Sequence, residues 1–112
     1  MKTAVIALAF GVALAGPLAA QIMTAEDGDA ERGADLAAES CAQCHDITQD
    51  GEFKTYPPSF ASIGAYRSDD QIFSRIYFPQ MHTAMPEMGW YLDRQGIADL
   101  VAYIRAVEIT VD

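Results

Sequence analysis

Apolar residues follow two different patterns along the chain. Residues 3–14 form an almost unbroken apolar run after the single charge of Lys2, and small residues follow as far as Ala20. A basic start, an apolar middle and a small-residue exit are typical of a secretory signal peptide. The stretch is marginally short for an uncleaved membrane anchor, and Pro17 weakens it further. We therefore expect residues 1–20 to be removed on export to the periplasm.

Beyond residue 28 the apolar positions recur at helical spacing. Helices are predicted over residues 29–42, 59–66, 68–78 and 93–108, and Asp, Ser or a capping box stands at the start of each. The side chains expected to face the core include Ile72, Phe73, Ile76, Ile97, Leu100, Val101 and Ile104. No alternating strand pattern and no internal repeat stands out. The predicted fold class is all-α.

Length and charge limit the class of protein. Residues 1–20 hold one of the seven basic side chains and no acidic one, so their removal leaves 92 residues with a net charge of −10. This excludes a multi-domain enzyme, a polytopic membrane protein and a nucleic-acid binder, which should be basic. We expect residues 21–28 to form a flexible acidic lead-in and residues 29–112 to form one small domain. Chains this small often need a covalent or metal cross-link.

The chain's only two cysteines, Cys41 and Cys44, stand with His45 in the sequence CAQCH. At this spacing on a helix end, both sulfurs can bond one haem, with His45 as an axial iron ligand. This is the c-type haem attachment signature. A disulfide oxidoreductase would need a βαβ context that the chain lacks. A zinc site would have to recruit the distant His82, and a Cys41–Cys44 disulfide would leave His45 unexplained.

Together with Met85-Pro86 and the closing helix that follows, this motif resembles the class I cytochromes c in their small bacterial form. The resemblance extends from Glu31 to Val107. It implies one covalently bound haem c, in a fold whose N- and C-terminal helices cross. It also implies Met85 as the sixth iron ligand, and the carbonyl of Pro58, or alternatively Pro57, as the acceptor for the His45 ring N–H.

Other side chains compete with Met85 for the iron. Met81 and Met88 lie in the same irregular segment, although methionines more often pack than ligate. His82 would give bis-histidine ligation, which lowers the potential, whereas Met/His ligation raises it. Met23 lies in the lead-in and is less suited. The resemblance favours Met85, because the family places its ligand directly before a proline.

Several supporting residues also follow from the resemblance. Gly33 matches the small residue at the helix crossing, and Leu100 and Tyr103 match large residues of the closing helix. Ala37 departs from the family, which commonly has an aromatic residue there, so Leu36 or Tyr103 would have to fill the space. Three aromatic residues are candidates for hydrogen bonds to haem propionates: Tyr56, Trp90 and Tyr91.

The function implied by the resemblance is electron transfer rather than enzymatic catalysis. With His45 and Met85 on the iron, no coordination position stays open for a substrate. We expect a soluble, exported, monomeric one-electron shuttle cycling between Fe(III) and Fe(II). Its acidity predicts redox partners with a basic docking face, such as a terminal oxidase, a quinol-oxidising complex or a periplasmic dehydrogenase. The alternatives are a haem subunit of a larger periplasmic oxidoreductase and a ligand-binding sensor in which Met85 dissociates.

Overall fold

A computed structural model of the chain describes residues 23–51, 56–80 and 84–111. Within these ranges there is no β-strand, and the all-α prediction is confirmed. The elements in chain order are a 3-10 turn at Ala25–Asp27, α1 (Ala30–Ser40), α2 (Phe60–Tyr66), α3 (Asp69–Tyr77), a 3-10 turn at Met88–Trp90, and α4 (Arg94–Ala106). The predicted signal peptide lies outside the described residues. None of the helices in the described part has the length and apolarity that crossing a membrane requires.

Each α-helix begins at the polar residue that the sequence predicts. Asp29, Ser59, Ser68 and Asp93 accept hydrogen bonds from the backbone N–H three residues later, which satisfies a donor that the helix itself leaves free. The helix ends lie within two residues of the prediction. The two-residue differences are at the C-terminal ends of α1, which ends at Ser40 because the chain turns there into the CAQCH motif, and of α4, which ends at Ala106 rather than at residue 108.

The core is built on α4. Five of its apolar residues are at most 1% exposed, and apolar side chains of α2 and α3 belong to the same core. These five α4 residues are Ile97, Ala98, Leu100, Val101 and Ile104. Burial of such side chains is the main favourable term in folding. The closing helix therefore provides the surface on which the other elements assemble.

Helices α1 and α4 cross at Gly33, as the resemblance implied. A Cβ atom added at Gly33 would lie 2.0 Å from the Asp99 carbonyl oxygen and 2.8 Å from the Tyr103 Cβ. Ala37 is fully buried in the same core. Leu36 and Tyr103, the two residues expected to compensate for its small size, both pack against that core. The absence of an aromatic ring at Ala37 is thus compatible with a filled crossing.

The described part of the predicted lead-in, residues 23–28, packs on α4. A reciprocal capping box closes the 3-10 turn there, and the Ala25 N–H donates to the Asp69 carboxylate at 2.8 Å. Gly28 packs so closely on α4 that a Cβ would lie 2.1 Å from the Ala98 carbonyl oxygen. The 3-10 turn itself was not predicted, and the flexibility of the segment stays a prediction.

A buried carboxylate joins the start of α1 to α4. Asp99 is 3% exposed and accepts hydrogen bonds from the Asp29 N–H at 2.8 Å, from Arg32 Nε at 3.0 Å and from Gln95 Nε2 at 3.1 Å. Burial raises the pKa of Asp99, but these donors and the Arg32 charge outweigh it, so the pKa lies below its ordinary value. The ionised form of Asp99 is the one that the fold stabilises.

Arg105 makes a second connection, between α4 and the two short helices. Its guanidinium donates to the Asp69 carboxylate at the start of α3, and to the Gly64 and Arg67 carbonyl oxygens at the end of α2. These carbonyls belong to the last turn of a helix, where no intrahelical donor is available. One side chain therefore fixes α2 and α3 on the same helix.

A glycine pair tests the crossing. Gly33→Ala forces a methyl group into the Asp99 backbone and should lower the free energy of unfolding by about 1–3 kcal/mol. Gly96→Ala is the matched control, because its Cβ would meet side-chain atoms rather than backbone, of Asp93 at 3.3 Å, Leu36 at 3.6 Å and Leu92 at 3.7 Å. The control should be neutral or stabilising by up to about 1 kcal/mol. Urea denaturation measures both, and equal effects would contradict the assigned contact.

Asp99→Asn tests the buried carboxylate. Loss of the charge should lower the free energy of unfolding at neutral pH by about 1–3 kcal/mol. Because the pKa of Asp99 is lowered in the fold, its contribution is present above the ordinary carboxyl value of about 3.9 and is lost as pH falls through the folded value. The gap between variant and unmodified protein in denaturant titrations should therefore close below about pH 4. If the difference in unfolding free energy persists at lower pH, the ionised carboxylate of Asp99 is not the source of the stabilisation.

Candidate functional site

The CAQCH motif forms a tight turn at the end of α1. Cys41 is the C-cap of the helix, and its carbonyl oxygen accepts from the N–H groups of Cys44 at 3.1 Å and His45 at 2.9 Å. Both thiols are free; Cys41 is half-buried and Cys44 is exposed. Burial raises the pKa of the Cys41 thiol. The turn thus presents two unpaired sulfurs and an imidazole within five consecutive residues.

The imidazole of His45 has a defined orientation. Its Nδ1 lies 2.7 Å from the Pro58 carbonyl oxygen. A carbonyl can only accept, so Nδ1 carries the proton and, in the neutral ring, Nε2 carries the lone pair. A metal-binding histidine needs this tautomer when it coordinates through Nε2. Pro58, rather than the alternative Pro57, supplies the carbonyl in this contact.

The segment after His45 is held against the start of α2. The Phe60 N–H donates to the Asp46 carbonyl oxygen at 2.8 Å, and the Phe60 ring lies 5.7 Å from the His45 ring at an interplanar angle of 53°. A cleft runs along this segment, lined by Ala42 to Ile47. The His45 imidazole is therefore held by the hydrogen bond from Nδ1 and by the tilted contact with the Phe60 ring.

Two of the candidate methionines differ clearly in environment. Met88 is 9% exposed and belongs to the core, in the 3-10 turn beside α3. Met85 is only half-buried and packs at the edge of that core. Met81 and His82 lie outside the described residues. Burial in the core fits the expectation that Met88 packs, and Met85 remains the predicted sixth ligand.

The aromatic candidates for propionate contacts are all on the surface. Tyr56, Trp90 and Tyr91 are 74%, 83% and 79% exposed, and the Trp90 indole N–H donates to the Glu87 carboxylate at 2.8 Å. That bond uses the only donor of the indole. The propionate roles stay predictions. Phe78, which was not among the predicted site residues, is 66% exposed at the end of α3.

The described residues do not assemble the competing sites, and the zinc alternative also needs His82, which lies outside them. Among residues 23–51, 56–80 and 84–111, no three His, Cys, Asp or Glu side chains are grouped so that they could hold a metal ion. Cys41 and Cys44 are not joined to each other. The βαβ setting of a disulfide oxidoreductase is also missing from this part of the chain. What the turn offers is covalent attachment through two thiols and one nitrogen ligand.

Comparisons with known proteins agree with this chemistry. The family model described as Cytochrome c matches residues 30–108, a range that includes the CAQCH turn, Pro58, Met85 and all of α4. Comparisons with curated proteins and with solved structures gave no match.

Proposed function

Since the chain belongs to the cytochrome c family, whose members bind haem c covalently and transfer electrons, we propose that it is an exported one-electron carrier with His45 and Met85 as axial ligands. The observation on which the proposal rests is the 2.7 Å hydrogen bond from His45 Nδ1 to the Pro58 carbonyl oxygen. This bond leaves Nε2 available to a metal and gives the ring a fixed direction.

The residues of the CAQCH turn fit haem c. Cys41 and Cys44 are unpaired, three residues apart on one tight turn, and available for two thioether bonds. His45 follows directly, with its Nε2 lone pair free. Bound haem supplies a centre that changes its charge by one electron. Covalent attachment would also provide the cross-link that a chain of this size needs.

A carrier rather than an enzyme is the activity that the ligand set supports. With His45 and Met85 both bound to it, the haem iron would keep no coordination position for a substrate. The two contacts described for the His45 imidazole are the ring of Phe60 and the carbonyl oxygen of Pro58. None of these is an acid–base pair of the kind that catalysis requires. These contacts keep the orientation of the imidazole fixed.

The basic docking face proposed for the redox partner is supported by the surface of α1. Glu31, Asp35 and Glu39 are exposed and follow one another at four-residue spacing, which places them on one face of the helix. This face ends two residues before Cys41. Asp29, by contrast, caps the helix and pairs with Arg32. A partner with positive charge around its own redox centre would be steered towards the CAQCH end of α1.

The ligand set is tested with a pair of methionine variants of the holoprotein. Met85→Ala should keep its thioether-bound haem in a pyridine haemochrome assay, but lose the weak red iron–methionine band and show a lower reduction potential. Met88→Ala should keep the band and lose about 2–5 kcal/mol of stability, because Met88 is a core residue. A red band that survives in Met85→Ala would assign the iron to Met81 or Met88, and unmodified holoprotein without the band would assign it to His82. Unmodified protein without covalent haem would contradict the function itself.

Electron exchange with small complexes tests the acidic surface. The rate constant for electron exchange with a cationic ruthenium ammine should fall as salt is added, because salt screens the attraction to the acidic surface. The rate constant with an anionic iron cyanide complex should rise, because salt screens the repulsion. Neutralising Glu31, Asp35 and Glu39 as Gln, Asn and Gln should flatten both salt dependences.

The matched control removes the same number of charges elsewhere, at Glu26, Asp50 and Asp70, which are also exposed. The control should retain most of the salt dependence for the cationic complex. Equal flattening in both triple variants would show that net charge alone steers encounters, and would remove the argument for α1.

A further inference from the structure

We propose that Tyr103 is a positioning residue for His45, acting through its hydroxyl on the Ile47 carbonyl and through its ring on Phe60. The proposal rests on the function assigned above, because it concerns the orientation of His45 as an iron ligand. The sequence alone suggested a different role for Tyr103, as a large residue that fills the helix crossing. The structure adds two contacts that reach the histidine loop.

Three hydrogen bonds join residues 45–47 to α4 and to the start of α2. His45 Nδ1 donates to the Pro58 carbonyl oxygen at 2.7 Å, and the Phe60 N–H donates to the Asp46 carbonyl oxygen at 2.8 Å. The third comes from the far side of the molecule, where the Tyr103 hydroxyl donates to the Ile47 carbonyl oxygen at 3.0 Å. The first two join the loop to the start of α2. Only the third joins it to α4.

The ring of Tyr103 reaches the same imidazole by a second route. Its centroid lies 6.2 Å from that of Phe60 in an edge arrangement, and Phe60 in turn lies 5.7 Å from His45. Such aromatic contacts favour particular ring orientations. Tyr103 therefore supports His45 both through the backbone that follows it and through the ring beside it.

The base of Tyr103 is held firmly enough to serve as a support. It lies on α4 at the helix crossing, where a Cβ on Gly33 would come within 2.8 Å of the Tyr103 Cβ. On either side in the helix, Ala102 and Ile104 are 8% and 1% exposed. The hydroxyl is thus carried by the closely packed helix crossing, and it links that crossing to the loop at Ile47.

Removal of the hydroxyl should loosen the His45 bond without removing the ligand. A neutral hydrogen bond contributes on the order of 1 kcal/mol, so local opening should become about two- to tenfold more frequent. A weaker bond from Nδ1 to Pro58 makes the imidazole a poorer electron donor, because the accepting carbonyl raises the ligand's basicity. The reduction potential should accordingly rise.

The test compares holoprotein carrying Tyr103→Phe with Tyr77→Phe. Tyr77 is a half-buried tyrosine on α3 whose ring contacts with Phe73 and Phe78 survive the substitution. In the reduced protein, NMR should show the His45 Nδ1–H exchanging about two- to tenfold faster in Tyr103→Phe only. The potential should rise in that variant only, with the iron–methionine band unchanged. Unchanged exchange and potential would overturn the proposal, even if global stability fell.

A second variant covers the case in which Tyr103→Phe does not fold. Placing 3-fluorotyrosine at position 103 alone keeps the ring and makes the hydroxyl a stronger donor below its pKa. Measured at mildly acidic pH, His45 Nδ1–H exchange should then slow and the potential fall. No change would again overturn the proposal. Failure of the underlying function is separately visible, since unmodified protein would then lack covalent haem or a coordinated His45.

Discussion

The close approach of α1 and α4 at Gly33 is the constraint on which the other contacts depend. Only a residue without a side chain lets the α4 backbone come this near, since a Cβ would overlap the Asp99 carbonyl oxygen. At this separation the Asp99 carboxylate can reach the Asp29 N–H at the first turn of α1. The same approach places Tyr103 within reach of the loop after the CAQCH turn. A wider crossing would break both connections together.

Much of the fold could be predicted because its signals are local. The N-caps Asp29, Ser59, Ser68 and Asp93 are single residues whose side chains bond their own helices, so position in the sequence is enough to find them. The apolar spacing of α4 is equally local. The ordered turn at Ala25–Asp27 was missed, because its partners Asp69 and Ala98 are distant in the chain. An acidic, glycine-containing segment gives no hint of which surface it will meet.

The candidate site divides in the same way. Cys41, Cys44 and His45 lie within five residues of one another, so their chemistry could be predicted from spacing alone. Pro58 was predicted as the hydrogen-bond acceptor for His45 only through the family resemblance. Every residue has a backbone carbonyl, and the sequence does not show which one will accept a given hydrogen bond. The Tyr103 hydroxyl was missed as a partner of Ile47 because 56 residues separate them. Amphipathic spacing explains why a large residue stands on α4, but not why it should carry a hydroxyl.

The acceptors around His45 are all main-chain carbonyls, on Pro58, Asp46 and Ile47. Substitution of those three residues changes side chains and leaves the acceptors in place. The donors are different in kind. One is the His45 ring itself, one is the Phe60 backbone N–H, and one is the Tyr103 hydroxyl. Of the three bonds, therefore, only that of Tyr103 can be removed by a single substitution that leaves both the predicted ligand and the backbone intact. Among these three hydrogen bonds, side-chain identity matters only at His45 itself and at Tyr103 on α4.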